Sequence, residues 1–525
     1  MQILPLFIAL NIVACPAFAQ KEYFQQRVNY NIEASLLPKA KAIKGQLALE
    51  YQNQSPDTLL FIWFHLWPNA YSGEKTALAK QLENDKELKN SIKKAEKGFL
   101  DSLSFISLGK VLATEKHPVH PDIIKVFLPE PLLPLGSISI QTPFYTKLPT
   151  YFSRSGEYNG QFIATQWYPK PAVYDRDGWH EMPYLDMGEF YAEFGNYRVS
   201  ITVPADMVVG ASGVLQNNTE LEKYKLAGRA NNQPGTVAPT QVSFDKGSPK
   251  TLTYLAENVH DFAWFAQPGF VVQYDTCQLA SGKIIDVFSY YRKESRANWL
   301  NSINYLKAGI HFYSNELGEY PHPQVSAVEG PNNVNSGGME YPMITLITVP
   351  EKDIKNQLET TIVHEVGHNW LQGVLGTNER DYPWFDEGFN TYYQFKYEAL
   401  QKKNSVLGKS VPDNLKQLPA DQFFGLMMQA LAQVPFRYPV DTQSANFDNK
   451  ESYGITAYIK GAIWLFILES RMGPETFKYG IQNYFSAWQF KHPSPNDFKK
   501  VMEEACGFPL DDVFSLLKKE GGFLR

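Results

Sequence analysis

The sequence predicts an α+β protein in which an N-terminal β-sheet domain is followed by a mainly helical domain. Apolar residues alternate with period two in the first half of the chain and recur at helical spacing from Ser295 onward. At 525 residues the chain is also too long for one hydrophobic core. We therefore expect a leader at residues 1–19, a β domain at 20–272 and a helical domain at 273–525.

The first nineteen residues have the pattern of a secretory signal peptide. An apolar run from Ile3 to Ala14 is too short to span a bilayer, and Ala17-Phe18-Ala19 is a small-x-small cleavage site. An alternative is a lipoprotein signal, because Ile12-Val13-Ala14-Cys15 resembles a lipobox. Both alternatives predict an exported protein, and only lipidation at Cys15 would place it on a membrane.

Composition argues against nucleic acid as a partner and against a disulfide-stabilised fold. The net charge of −6 and a pI near 6.0 give no basic surface for nucleic acid. Beyond Cys15 the chain has only Cys277 and Cys506, which is too few for a disulfide framework. The function must therefore be inferred from individual sites.

The strands of the first half are indicated by alternation. Tyr30, Ile32, Ala34 and Leu36 share one predicted face, and the same period returns from Tyr197 to Val203. Leu59 to Leu66 is apolar almost throughout, which is typical of a strand covered on both faces. Gly228 to Thr240 is expected to be a polar loop.

The second half alternates helices with a glycine-rich strand. A helix is predicted from Ser295 to Leu317, then a strand at Val325 to Val328, and then the run Gly337-Gly338-Met339-Glu340. Asp353 to Leu371 forms the next predicted helix, and Trp464 to Met472 and Asp497 to Leu517 are amphipathic. The two glycines allow close backbone approach, as the edge of a peptide-binding strand requires.

The motif His364-Glu365-Val366-Gly367-His368 outlines a metal site. Residues four apart share one helix face, so His364 and His368 can bind one ion with Glu365 beside them. A catalytic zinc usually has three protein ligands, and Glu387, after eighteen intervening residues, is the candidate for the third. Zinc is the metal these ligand types favour, although cobalt or manganese could occupy the same ligands.

These motifs together resemble a known family. His-Glu-x-x-His-Asn-Trp from His364 to Trp370, followed by Glu387-Gly388-Phe389, is similar to the gluzincin metallopeptidases of the aminopeptidase N family. The resemblance implies a saddle-like β domain followed by a thermolysin-like catalytic domain that holds one zinc ion. It also implies that the substrates are peptides with a free N-terminus.

The resemblance assigns roles to further residues. Glu365 would be the general base, and Tyr458, in a Tyr-x-Lys-Gly-Ala tract, would donate a hydrogen bond to the oxyanion. Gly337, Met339 and Glu340 match the family's Gly-x-Met-Glu-Asn signature, in which the glutamate binds the substrate's amine. Gly338 belongs to the same substrate-binding strand, and Tyr341 replaces the usual asparagine.

A second candidate for binding the amine lies in the β domain. Gln166, in Ala164-Thr165-Gln166-Trp167-Tyr168-Pro169, matches a family glutamine that helps to hold the free amine. The carboxylate often found two residues later is replaced here by Tyr168. A structural glutamine is an equally good interpretation of this position.

Three functions remain open from the sequence. The first is a zinc aminopeptidase, and the second is a zinc endopeptidase, which would share the metal site but accept a blocked N-terminus. The third is a non-catalytic peptide-binding module, which the intact His364, Glu365, His368, Glu387 and Tyr458 disfavour. Since the sequence ends at Arg525 without the large helical domain of many family members, we expect a more open site unless a partner or a second copy of the chain covers it.

Overall fold

The computed structural model describes residues 22–523 except 85–88, 91–92, 233–237, 246, 333–336, 351–353 and 402–412. The predicted leader and Cys15 lie outside the described residues. The chain folds into an N-terminal region of β-sheets followed by a mainly helical region, so the predicted α+β class is confirmed.

The N-terminal region contains nineteen described strands and two described α-helices. The strands are β1 (Arg27–Leu37), β2 (Ala42–Gln52), β3 (Leu59–His65), β4 (Phe99–Asp101), β5 (Ile106–Ser107), β6 (Lys110–Val111), β7 (Thr114–Lys116), β8 (Ile123–Leu132), β9 (Ser137–Lys147), β10 (Gly156–Tyr158), β11 (Gln161–Ala164), β12 (Lys170–Pro171), β13 (Tyr174–Asp175), β14 (Gly178–Trp179), β15 (Gly195–Val203), β16 (Met207–Ala211), β17 (Val214–Leu215), β18 (Lys250–Val259) and β19 (Trp264–Pro268). The helices are α1 (Ala77–Gln81) and α2 (Asn218–Asn231).

These strands form one large sheet and smaller ones packed against it. The large sheet has nine strands in the order β17-β18-β15-β1-β2-β9-β5-β6, with β4 also paired to β9. Two four-stranded sheets have the orders β10-β11-β19-β16 and β12-β3-β8-β7. The predicted face of β1 is buried, since Tyr30, Ile32, Ala34 and Leu36 are all at most 5% exposed. The alternation of apolar residues thus indicates a sheet with one face packed against the hydrophobic core.

The C-terminal region begins with a five-stranded sheet and continues as helices. Its strands are β20 (Val271–Gln278), β21 (Ile284–Tyr291), β22 (Gln324–Glu329), β23 (Gly338–Tyr341) and β24 (Ile344–Ile347), in the order β20-β21-β22-β24-β23. The described helices are α3 (Arg296–Trp299), α4 (Ser302–Glu316), α5 (Ile354–Gly367), α6 (Glu387–Gln401), α7 (Asp413–Lys416), α8 (Ala420–Leu431), α9 (Lys450–Tyr453), α10 (Gly461–Met472), α11 (Pro474–Trp488), α12 (Pro495–Cys506) and α13 (Asp511–Phe514). A π-helix, Gly454–Lys460, joins α9 to α10.

Three predicted boundaries were wrong. The expected loop at Gly228 starts inside α2, which continues to Asn231. The helix expected to reach Leu371 ends at Gly367, because the following turns tighten to bonds such as Asn369 N to Val366 O. The helix predicted from Asp497 stops at Cys506, where Gly507 adopts a left-handed φ of 76°.

The core of the C-terminal region packs against α5, the helix that carries His364 and ends just before His368. Ile362, Val363 and Val366 of α5 are fully buried among aromatic and aliphatic side chains of neighbouring helices. At about 25 cal/mol per Å² of buried apolar surface, such packing is the main stabilising contribution to this region. Within the described ranges, none of the helices combines the length and apolarity needed to cross a membrane.

Candidate active site

The structure brings the three predicted metal ligands together. His364 Nε2 and His368 Nε2 are each 3.4 Å from Glu387 Oε2, and the two nitrogens are 3.2 Å apart. His364 lies in the last turn of α5, His368 follows directly after it, and Glu387 is the first residue of α6. The loop between them returns α6 to the same site, as the spacing predicted.

The outer nitrogens of both histidines are already engaged. His364 Nδ1 lies 2.7 Å from Gln394 Oε1, and His368 Nδ1 lies 2.7 Å from Asp386 Oδ1. Since both acceptors are oxygens, each Nδ1 carries the proton and each Nε2 presents a lone pair to the site. Asp386 was a candidate for this contact in the sequence, whereas Gln394 was missed, although it lies two turns after Glu387 on the same face of α6.

This donor set fits a zinc ion. Two lone pairs that face each other and a carboxylate repel one another unless a cation lies between them. Glu387 Oε2 is buried and has no hydrogen-bond partner among the described residues, which suits a ligand atom. Two imidazoles and one carboxylate are the ligands of many catalytic zinc sites. His368 and His364 also hold the pKa of Glu387 below its usual range against the opposing effect of burial.

The predicted base lies against the glycine-rich strand. A β-carbon at residue 338 would lie 2.4 Å from Glu365 Oε1, so only glycine at this position of β23 leaves room for the carboxylate. Burial raises the pKa of Glu365 to about 7, with further increases from Glu387 and Glu189 and an opposing effect of the two histidines. A carboxylate in such surroundings is suited to accept and return a proton near neutral pH.

Glu340 lies on the same strand as Gly338. Glu340 is 8% exposed, and its Oε1 has no hydrogen-bond partner among the described residues. Burial raises the pKa of Glu340 well above its usual value, and Glu189, Glu365 and Glu387 add to the effect, which His368 opposes. β23 is the outermost strand of its sheet in the described structure, so one edge can pair with an extended peptide.

Tyr458 approaches the metal ligands from the π-helix. Its hydroxyl donates to Glu387 Oε1 at 2.5 Å, and its ring stacks on His364 with centroids 6.0 Å apart. The approach depends on a close crossing of two helices, since a β-carbon on Gly388 would lie 2.9 Å from the α-carbon of Gly461. π-helical turns are common at functional sites.

Gln166 is the predicted site residue that the structure does not bring to this group. Its side chain donates to Asp261 Oδ2 at 2.8 Å inside the β domain. Among the described residues, Gln166 is not part of the cavity wall around the metal ligands. The β domain instead contributes Arg154 and Glu189, which the sequence analysis missed because no motif marks them.

One cavity connects these groups. It has a volume of about 390 Å³ and is lined by both regions of the chain, including His364, His368, Glu387, Glu340 and Tyr458. Gly337 and Gly338 form part of its wall. This size is suited to a few amino-acid residues of a ligand.

Comparison with known proteins finds a family match in the helical region. Residues 302–517 match the model of the Peptidase family M1 domain. This segment is therefore similar to M1 peptidases. The predicted resemblance to the aminopeptidase N family is thereby confirmed, and zinc is the metal that both the family match and the donor set indicate.

Two curated relatives of the M1 domain illustrate the likeness in sequence. Aminopeptidase A of Gloydius brevicauda is 25% identical over 297 residues, and glutamyl aminopeptidase of Bos taurus is 25% identical over 295 residues. Each alignment covers 54% of this chain and 29% of the relative. The chain thus matches less than a third of the length of these relatives.

A solved structure extends the likeness of fold beyond the M1 domain. An M1 zinc metallopeptidase of Deinococcus radiodurans, crystallised as a mutant with a Tyr-Ser-Ala substrate, has a TM-score of 0.60 and 15% identity to this chain. The match covers 94% of this chain and 95% of that one. The arrangement of a β domain followed by a helical M1 domain is therefore shared.

Proposed function

We propose that the protein is a zinc-dependent aminopeptidase that hydrolyses the first peptide bond of peptides with a free N-terminus. The observation that carries the proposal is the buried Oε1 of Glu340, which has no hydrogen-bond partner among the described residues and lies on the outermost described strand of its sheet, beside the metal ligands. A buried carboxylate without a partner is costly, and the ammonium group of a substrate would compensate it. The peptidase and aminopeptidase names of the relatives support the same reaction.

His364, His368 and Glu387 would hold the zinc ion. When bound there, zinc supplies a Lewis acid that polarises a carbonyl group and lowers the pKa of water. The Nδ1 contacts to Gln394 and Asp386 keep both imidazoles oriented toward it.

Glu365 performs the proton transfers. It removes a proton from the water that attacks the carbonyl carbon and passes that proton to the amine nitrogen as the C–N bond breaks. The contact with Gly338 keeps its carboxylate between the ligand group and the substrate strand. General acid–base catalysis of this kind contributes about 10²- to 10⁴-fold to the rate.

Tyr458 and β23 complete the site. The Tyr458 hydroxyl, which lines the cavity, is placed to donate to the carbonyl oxygen as negative charge develops there. The edge of β23 would pair with the backbone of the substrate, and Glu340 would fix the position of its first residue. Together they set the scissile bond one residue from the amine.

We also propose that the protein is exported. The proposal is supported by the apolar run from Ile3 to Ala14 and the cleavage site Ala17-Phe18-Ala19. N-terminal sequencing of the mature protein would test it, and a mature form beginning at Met1 would contradict it. A lipid-modified Cys15 would identify the lipoprotein alternative.

The aminopeptidase proposal is tested with purified zinc-loaded protein and short unblocked peptides. We expect release of the first residue only, and we expect Glu340→Gln to raise KM at least tenfold while zinc content stays at one per chain. Tyr341→Phe, at the next residue of β23, is the matched control and should leave KM within a factor of a few. Cleavage inside the peptide, or an unchanged KM in Glu340→Gln, would contradict the proposal.

A further inference from the structure

The wall of the cavity on the β-domain side carries two ion pairs. If Glu340 holds the amine and the metal ligands face the scissile carbonyl, the side chain of the first residue must point to the remaining wall. That wall includes residues 153–154 and 186–189 of the β domain together with Lys450, Tyr453 and Gly454. Its charges therefore act on the first side chain of the substrate.

Arg154 and Glu189 form the more deeply buried pair. Arg154 Nε donates to both carboxylate oxygens of Glu189 at 3.0 and 3.1 Å, and Nη2 donates to Oε1. The two side chains are only 5% and 9% exposed. In such surroundings each charge is balanced by its partner rather than by water.

The guanidinium of Arg154 has no freedom to turn toward a ligand. Nη1 donates to Leu185 O and Nη2 donates to Asp186 O, each at 3.0 Å. Arg154 therefore holds the loop 185–189 from inside the β domain. Neither member of the pair can bind a substrate charge without giving up the other.

The loop 185–189 is also fixed from the catalytic side. Arg380 Nη1 donates to Met187 O at 2.8 Å, and a β-carbon on Gly188 would lie 2.3 Å from Ser444 Oγ. Asp186 pairs with Lys450, and this second pair is more accessible because the Lys450 side chain is 30% exposed. The wall is thus a rigid, charge-balanced surface shared by both regions.

The uncharged part of the wall is apolar. Met187 is 3% exposed and packs in a cluster with Tyr453 and Tyr458. Met339, half-buried on β23, also lines the cavity. An apolar first side chain would contact these groups without disturbing either ion pair.

We propose that the buried Arg154–Glu189 pair sets the charge selectivity of the first-residue pocket, an inference that rests on the proposed aminopeptidase function. While the pair is intact, the pocket discriminates against both acidic and basic first residues. Removing one member leaves the charge of the other buried and unbalanced. A substrate side chain with the same sign of charge as the removed member then pairs with the remaining residue. Arg154 and Glu189 are in this sense specificity-determining residues.

The test compares kcat/KM for three tripeptides, Met-Ala-Ala, Glu-Ala-Ala and Lys-Ala-Ala, with zinc-loaded protein. For the unmodified chain we expect Met-Ala-Ala to exceed both charged peptides at least tenfold. The Glu/Met and Lys/Met ratios are the kcat/KM values for Glu-Ala-Ala and Lys-Ala-Ala divided by that for Met-Ala-Ala. Glu189→Gln should raise the Glu/Met ratio about tenfold and lower the Lys/Met ratio. Arg154→Met should raise the Lys/Met ratio and lower the Glu/Met ratio. The double variant Arg154→Met/Glu189→Gln should return both ratios to those of the unmodified chain.

Two further variants keep the test decisive if the buried changes prevent folding. Lys450→Met, in the more exposed pair of the same wall, should raise the Lys/Met ratio by leaving Asp186 unbalanced, and it thereby tests whether charge balance in this wall sets selectivity at all. Arg176→Met removes an ion pair with Asp497 outside this wall and should leave both ratios unchanged. Zinc content and the unfolding midpoint identify variants that remain folded.

The outcomes separate the two proposals. Ratios unchanged in all folded variants, or a preference of the unmodified chain for Glu-Ala-Ala or Lys-Ala-Ala, would overturn the role of the pair. An equal loss of kcat/KM for all three peptides in Glu189→Gln would instead indicate that Glu189 binds the substrate's amine. That result would also overturn the proposed role of the pair. Absence of zinc-dependent cleavage of Met-Ala-Ala by the unmodified chain would overturn the aminopeptidase function itself.

Discussion

The α-carbon of Gly338 directly faces the carboxylate of Glu365. A β-carbon at residue 338 would lie 2.4 Å from Oε1 and 2.6 Å from Cγ of Glu365. The strand that is proposed to bind the substrate and the residue that is proposed to move its protons are therefore in contact. The conformation of the strand at Gly338 therefore determines the position of the Glu365 carboxylate.

Gly338→Ala should lower kcat about a hundredfold, because the added methyl group displaces the Glu365 carboxylate and a small misplacement of a catalytic group is costly. The clash involves a flexible side chain rather than backbone, so the unfolding midpoint and zinc content should change little. Gly337→Ala is the matched control, since among the described residues its β-carbon would meet only Thr361, at 3.8 Å. Equal activity of the two variants would show that the contact does not matter.

Tyr458→Phe should lower kcat about a hundredfold with little change in KM, because a donor to the developing oxyanion acts mainly in the transition state. Tyr453→Phe provides the comparison, since the Tyr453 hydroxyl donates to Glu379 at 2.8 Å instead of facing the metal ligands. Steady-state kinetics on one unblocked peptide would measure both. If Tyr453→Phe lost as much kcat as Tyr458→Phe, the role of Tyr458 would be misassigned.

Gly367→Ala should reduce the free energy of unfolding by about 1 to 3 kcal/mol through overpacking. The new β-carbon would lie 2.1 Å from Asn390 Oδ1 and 2.3 Å from Tyr313 Cζ, where a 2.6 Å hydrogen bond joins these two side chains. Gly425→Ala, in α8, meets no atom of the described residues within 4 Å and should stabilise the protein by up to about 1 kcal/mol. Chemical denaturation measures both, and a stabilised Gly367→Ala would contradict the packing.

Asp122→Asn should stabilise the protein more at pH 7.5 than at pH 5, by roughly 1 kcal/mol. Burial raises the pKa of Asp122 to about 6 against the opposing effect of hydrogen bonds such as that from Tyr184 N, and Oδ1 has no partner among the described residues. Because the folded pKa exceeds the unfolded value, ionisation costs stability as the pH rises from about 4 to 6.

The measurement for Asp122 is the free energy of unfolding of both proteins at the two pH values. Asp206→Asn, at an exposed residue, is the control and should behave as the unmodified chain at either pH. A stabilisation by Asp122→Asn that is larger at pH 5 than at pH 7.5 would have the wrong sign for a raised pKa.

The metal site was predictable because its determinants are local. His364 and His368 are placed by helical periodicity, and Glu387 by the length of one loop and the start of the next helix. The strands of the β domain were predictable where one face is buried, as in β1. The gluzincin resemblance then supplied the roles of Glu365 and Tyr458.

The parts that could not be predicted depend on contacts between distant segments. Gln166 donates a hydrogen bond to Asp261, which lies 95 residues away in the chain. Gln166 also has a left-handed φ of 53°, which the neighbouring residues do not predict. Arg154 meets Glu189 only because two loops of the β domain converge over the cavity. The π-helix around Tyr458 likewise lies beside a close helix crossing at Gly388 and Gly461, a contact between distant segments that hydrophobic periodicity does not indicate.

The central claim is that the zinc site acts from a free N-terminus. The most direct test is the ratio of kcat/KM for one short peptide with a free amine and the same peptide N-acetylated, measured with zinc-loaded protein and again after chelation. We predict a ratio above about 10³ that disappears with all activity when zinc is removed. Equal cleavage of the two peptides, or cleavage that survives the chelator, would contradict the account.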